Sequence, residues 1–251
     1  ERDCADRLAE LRWGPKGPTC RHCGSRRHRR AAKRPRVFVC RRCEKHTSVT
    51  AGTLLHGCHV GLRKWFLASL LIGRPQGCSA RELQRRIKVS YETAWQLLHR
   101  LRRSVEDGAR GVAGKLMLAS INIATCRPYR NGGPKVDRNR SAVGALKGDN
   151  GLIMAAIPSR FDDQDWAQSV TGQELIGDRT GPAFTALAGL RNQVAYTHCG
   201  VSGRWLDHYM WESQHRYNKR PHHFLASSIR VMRQRFADLR PTFHELDGFE
   251  D

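Results

Sequence analysis

Two Cys-x-x-Cys pairs, a pair of capped short helices and a later change to strand periodicity predict a multidomain α+β chain. The expected order is an N-terminal cysteine ribbon, a helix-turn-helix, and then an α/β domain with a mixed sheet. The pattern divides the 251 residues into an N-terminal helix (1–18), a ribbon (19–53), a helical region holding the helix-turn-helix (54–108), an α/β region (109–226) and a tail (227–251). A chain of this length can bury a substantial core in two or three domains.

The ribbon reads Cys20-Arg-His-Cys23 and, after an intervening arm, Cys40-Arg-Arg-Cys43. Each pair can turn two thiolates toward one ion, and the arm brings the second pair round to complete a tetrahedral structural zinc site. Gly24 supplies permissive backbone after the first pair. A redox Cys-x-x-Cys is disfavoured, because two pairs occur together with no βαβ pattern around them. The arm carries Arg26, Arg27, Arg29, Arg30, Lys33, Arg34 and Arg36, and Glu44 is the one acid between Cys20 and Lys45.

Charge points the same way. The formal net charge is +21 and the pI is about 10.5, within the range of nucleic-acid binders. Residues 1–110 hold 26 Lys+Arg against 9 Asp+Glu, leaving 18 against 14 in residues 111–251. The polyanion-binding character therefore belongs to the front of the chain. The longest apolar run, Trp65–Ile72, is too short for a membrane span, no lipidation signal is visible, and the remaining scattered cysteines fit a reducing compartment. A cytoplasmic, nucleoid-associated location is expected. The chain opens on Glu1 without a signal peptide, and a fragment of a reading frame is expected.

Taken in order, Cys4, Leu8 and Leu11 repeat on one face of a first helix that ends at Gly14-Pro15 and packs on the ribbon. Val37–Cys40 and Thr47–Thr50 read as ribbon strands. Leu62–Ile72 is an amphipathic helix stopped by Gly73 and Pro75. Ser79 and Glu82 form a capping box for a short helix, Ile87-Lys88-Val89 is a turn, and Ser90 caps a second helix buried through Ala94, Leu97, Leu98 and Leu101. Tyr91, Glu92 and Thr93 stand where a recognition helix meets base edges, Ser90 at the helix start is a further DNA-contact candidate, and Arg100, Arg102 and Arg103 are expected to face phosphates. Beyond Gly114, strands are expected at Leu116–Ala124, Ala142–Leu146 and Leu152–Ile157, the last two joined by a Gly148–Gly151 hairpin turn. Asp162, Asp163 and Asp165 read as cap and first-turn acids of a helix around Trp166, in preference to a metal cluster. A short strand at Glu174–Asp178, a helix through Phe184, Leu187 and Leu190, and a helix from Val201 to Arg220 follow.

Across nearly its whole length the chain resembles zinc-ribbon insertion-sequence transposases with an ISXO-type transposase domain. The resemblance rests on the ribbon with Ser48-Val-Thr-Ala-Gly-Thr53, on Leu62-Arg-Lys-Trp-Phe-Leu67, and on Val89-Ser-Tyr-Glu-Thr-Ala-Trp95 leading to Leu98-His-Arg-Leu101. It continues through Ala142-Val-Gly-Ala145, Ile176-Gly-Asp-Arg-Thr-Gly-Pro-Ala-Phe184 and Arg216-Tyr-Asn-Lys-Arg220. It implies an RNase-H-like domain that cuts and joins double-stranded DNA at transposon ends, possible homo-oligomers, and two Mg²⁺ ions held by three carboxylates. Asp178 matches the second acid. The first acid's column falls at Ala119, with no Asp or Glu between Asp107 and Asp137, and the segment for the third is missing between Asn192 and Val201. Glu212 matches a non-ligand position. Asp178 is thus the sole remnant of the acid triad, either a residual ligand or a strand-end acid, in a truncated, degenerate RNase-H-like domain, and Mg²⁺ is doubtful. Three functions remain open: a transposase by descent that binds DNA, a regulator without catalytic activity, and a nuclease using Asp162, Asp163 or Asp165 with Asp178.

Overall fold

The computed structural model describes residues 1–105, 117–126, 136–149, 151–171, 176–177 and 180–218. Helix α1 (Arg2–Trp13) buries Ala5 and Leu8 and stops at Gly14, whose φ of 67° continues no helix. It docks on the ribbon as its apolar face predicts. Trp13 meets Phe38 edge-on at 5.4 Å, and Arg12 donates to the Ser48 and Val49 carbonyls at 3.2 and 2.8 Å. The Glu1 carboxylate accepts from Arg36 and from the Leu62 amide, tying α1 to the ribbon and to the next helix.

The ribbon strands β1 (His28–Arg30), β2 (Val37–Cys40) and β3 (His46–Ser48) form an antiparallel sheet in that order. Helices α2 (Leu62–Ile72), α3 (Ala80–Ile87) and α4 (Tyr91–Arg103) follow. Their apolar stripes meet Val49, Leu54 and Leu55 in one core with Leu62, Trp65, Leu83, Ile87, Leu97 and Leu101. Ser79 and Ser90 cap α3 and α4, accepting from the Glu82 and Thr93 amides at 3.2 and 3.1 Å. Lys88, left-handed at φ 51°, makes the sharp turn between them.

The second half is built on the sheet β6-β5-β4-β7, formed by β4 (Met117–Cys126), β5 (Val136–Gly148), β6 (Gly151–Ala156) and β7 (Ile176–Gly177). Strand β5 pairs antiparallel with both β4 and β6, and β7 runs parallel to β4, giving the mixed sheet the pattern predicted. Side chains alternate between its faces. Leu118 and Leu146 pack against Trp166 and Ala167 of α5 (Asp163–Thr171). Ala119, Ile123, Val143 and Ala145 pack on the opposite side against α6 (Pro182–Asn192) and α7 (Leu206–Asn218). Gly144 lets Trp166 pack directly on the strand, because a Cβ there would overlap its ring and push it aside.

Three details differ from the sequence reading. Strand β5 begins at Val136 rather than Ala142, since polar residues can pair through their backbone without an apolar pattern. The last helix begins at Leu206 after a 3₁₀ turn at Gly203–Trp205, while Val201 is buried outside any helix. Between α6 and that turn, Gln193–Thr197 forms a wide π-helical turn. Helix α7 also satisfies the outer edge of β6, because Asn218 exchanges two 2.8 Å bonds with Leu152 and Gln214 accepts from the Met154 amide at 3.0 Å.

Candidate metal centre and nucleic-acid interface

The two cysteine knuckles are built alike. In the first, the Gly24 amide donates to the Cys20 carbonyl at 2.9 Å and the Cys20 amide to Ser25 at 2.9 Å. In the second, Glu44 donates to Cys40 at 3.1 Å and Cys40 to Lys45 at 3.0 Å. Both turns need left-handed backbone, supplied by Gly24 at φ 69° and by Glu44 at φ 56°. The four sulfurs lie within 4.8 Å of one another, with Cys20–Cys43 and Cys23–Cys40 both at 3.6 Å. A tetrahedron of zinc–sulfur bonds about 2.3 Å long has edges of about 3.8 Å, so the donor set fits zinc.

The thiols are electrostatically divided. Burial raises the Cys40 thiol, but the Arg42 and Cys43 amides and the Cys23 thiol outweigh it and bring it down to about 6. The Lys45 amide lowers Cys43, yet burial and the other three thiols outweigh it and push it up to about 12. Four such groups compete for ionisation, and a cation at their centre lets all four exist as thiolates.

Of the arm residues, Arg26, Arg27 and Arg29 are exposed. Arg30 is turned inward, its guanidinium over the Phe38 ring at 4.6 Å and bonded to Asp6 and the Pro35 carbonyl. Of the four arm arginines that are DNA-contact candidates by sequence, packing therefore engages Arg30 and leaves Arg26, Arg27 and Arg29 exposed. On α4, Tyr91 is exposed, Thr93 is half-buried with its hydroxyl 2.8 Å from that of Ser90, and Arg100 and Arg103 are half-buried.

Arg102 corrects the sequence reading. It is 1% exposed and pairs with Glu212 of α7 at 2.5 Å, with its guanidinium 4.1 Å from the centre of the Tyr209 ring. It lies four residues beyond Leu98, on the edge of the apolar stripe, and that spacing was the available signal. Sequence reasoning missed the network that receives it. Glu212 also accepts from Gln193 and Arg216 at 2.8 Å each, and Arg216 donates on to Gln193 and the Arg74 carbonyl. Arg102 and Arg216 outweigh burial and hold the Glu212 carboxyl below its ordinary value. Beside them His99 and His208, both buried, approach Nδ1 to Nδ1 at 2.9 Å.

Among the described residues, the four cysteines are the one group of three or more potential metal ligands that comes together. Asp162 caps α5 through the Asp165 amide at 2.8 Å, as a cap acid should, and Asp163, in the first turn of α5, accepts from the Ser120 hydroxyl of β4. Ala119 is buried in the apolar layer under α6. Glu212 has both carboxylate oxygens occupied. Asp178 lies outside the described residues. No described helix is long and apolar enough to cross a membrane.

Residues 1–46 match the family model described as a transposase zinc-ribbon domain of the IS1595 type. The chain is also 33% identical over 108 residues to an uncharacterized protein in transposable element ISH50 of Halobacterium salinarum. That match covers 42% of this chain and 36% of the relative, so it spans little more than a third of the relative's length. No solved structure matches. The N-terminal module is thus similar to the zinc ribbon of insertion-sequence transposases.

Proposed function

We propose that this chain, carrying a transposase zinc ribbon, binds double-stranded DNA at transposon ends and no longer cuts it. The carrying observation is a closed four-cysteine centre whose arm leaves Arg26, Arg27 and Arg29 exposed, followed in the chain by the capped α3–turn–α4 pair. Zinc there is structural: four protein ligands leave no open position, so the metal cross-links the knuckles and the arginines meet phosphate. In this reading α3 and α4 form a helix-turn-helix in which Tyr91 and Thr93 face base edges, Ser90 fixes the helix start, and Arg100 and Arg103 flank the backbone.

The second half is read as an RNase-H-like domain by descent. Apolar Ala119 at the first acid's column, and a Glu212 wholly engaged in ion pairing, support the loss of two-metal chemistry. The cap role of Asp162 and the bond of Asp163 to Ser120 speak against a substitute ligand set. A regulator that occupies transposon ends is favoured by the same observations and differs only in biological use. Cytoplasmic, nucleoid-associated location and self-association belong to this proposal too.

Labelled transposon-end and scrambled duplexes, incubated with the protein and Mg²⁺ or Mn²⁺, test the reading. End-specific binding that weakens steeply with salt, without strand nicking, is the expected result. Nicking abolished by Asp178→Ala would sink the non-catalytic reading, and salt-independent binding would sink the phosphate-contacting surface.

A further inference from the structure

We infer that the α4–α7 junction is an acid-opening latch, in which the sheet domain grips α4 at neutral pH and releases it on acidification. The regulatory role rests on the reading of α4 as the DNA-facing helix; the latch itself does not.

Helix α4 meets α7 through polar groups buried at the contact. The His99–His208 approach of 2.9 Å holds a single proton, since one imidazole nitrogen must donate and the other accept. A second proton would set two N–H groups against each other. Trp95 and Trp205 enclose His99, and Trp211 stacks on His208 at 5.1 Å, leaving little room for water to separate them.

The surrounding charges oppose that proton. From α4, Arg102 and Arg103 face both histidines, and His198, from the loop before α7, faces His99. From α7, Arg216 and Glu212 face His198, but Glu212 is already paired with Arg102 and Arg216. Burial, followed by Arg102, lowers His99 well below 6.5 and brings His198 and His208 down to about 3. These histidines stay neutral in the closed junction and take up protons when it opens. Their stabilisation is present above about pH 6.5 and is lost progressively as pH falls below that value, toward about 3. The closed state is also incompletely satisfied, because His99 Nε2 and Arg102 Nη2 are buried with no hydrogen-bond partner among the described residues.

Cys78 reports the latch. It is fully buried between α2 and α3, and burial, with Glu82 and Glu212 adding to it, pushes its thiol up to about 12. Cys199 is exposed and serves as the internal reference. The full chain is labelled with dithiodipyridine at about pH 7 and about pH 5.5, and the Cys78-to-Cys199 rate ratio is read by peptide mass spectrometry, with helicity followed in parallel. Each histidine protonated on opening raises the open fraction about eightfold over this interval, hence about 70-fold for the His99–His208 pair. A His99→Phe/His208→Leu chain should lose most of that rise. A pH-independent ratio in the unmutated protein, or a rise seen only with loss of helicity, would overturn the latch.

The preference for end over scrambled duplex should fall together with latch opening. Cys78 exposure with unchanged preference would refute control of α4. Absence of DNA binding at every pH would instead refute the proposed function, leaving the labelling result to judge the latch.

Discussion

The ribbon and the sheet domain solve the problem of stability in opposite ways. The ribbon has three short strands and, beyond its contacts with α1 and α2, little apolar volume. Its knuckles converge on four sulfurs, and most of its arginines project into solvent. The sheet domain packs helices on both faces of β4–β6 and places its charged side chains of greatest consequence inside, at the contact with α4. A small module with a metal cross-link can leave its cations free for a polyanion. A domain with a true core can afford buried ions only when each is paired.

Removing the metal should separate the two regions most clearly. Chelation, or Cys40→Ser, should unfold the ribbon, a loss on the scale of the roughly 10–16 kcal/mol of structural zinc binding, while the β4–β7 sheet persists. Proteolysis that nicks residues 19–53 and spares the sheet checks this; simultaneous loss of both would erase the contrast. Glu212→Ala should destabilise by about 3–5 kcal/mol, because it strands the Arg102 charge, whereas Arg102→Met with Glu212→Leu should recover only part of that loss, Arg216 still lacking its carboxylate. Urea unfolding of the single and double variants measures the difference. Gly144→Ala should cost about 1–3 kcal/mol by displacing Trp166, read as a lower Tm with a shift in tryptophan emission. Ser90→Ala should have the smallest effect, about 1 kcal/mol from loss of the bond to the Thr93 amide, visible in the same urea titration.

Much of the fold was legible because its causes are short-ranged. The ribbon follows from cysteine spacing, although only one knuckle advertises its left-handed turn with a glycine; Glu44 makes the same turn without that signal. Capping by Ser79, Ser90 and Asp162, and the alternation of Leu118 with Ala119, are likewise local. The full length of β5 was hidden, since its early residues carry no apolar alternation. Arg30 and Arg102 read as surface cations until their partners came from elsewhere: Asp6 for the first, and for the second Glu212, 110 residues away.

By itself, then, the sequence determined the cysteine centre, the basic front, the capped helix pair and the two-faced sheet, because each is set by spacing within a few turns of chain. Only the tertiary structure decided which arginines face solvent and which are buried, and that His99 meets His208 beside the Arg102–Glu212 pair. A buried charge is tolerable only with its counter-ion. Where that counter-ion sits depends on how α7 packs against α4, a choice that no local pattern in either helix encodes.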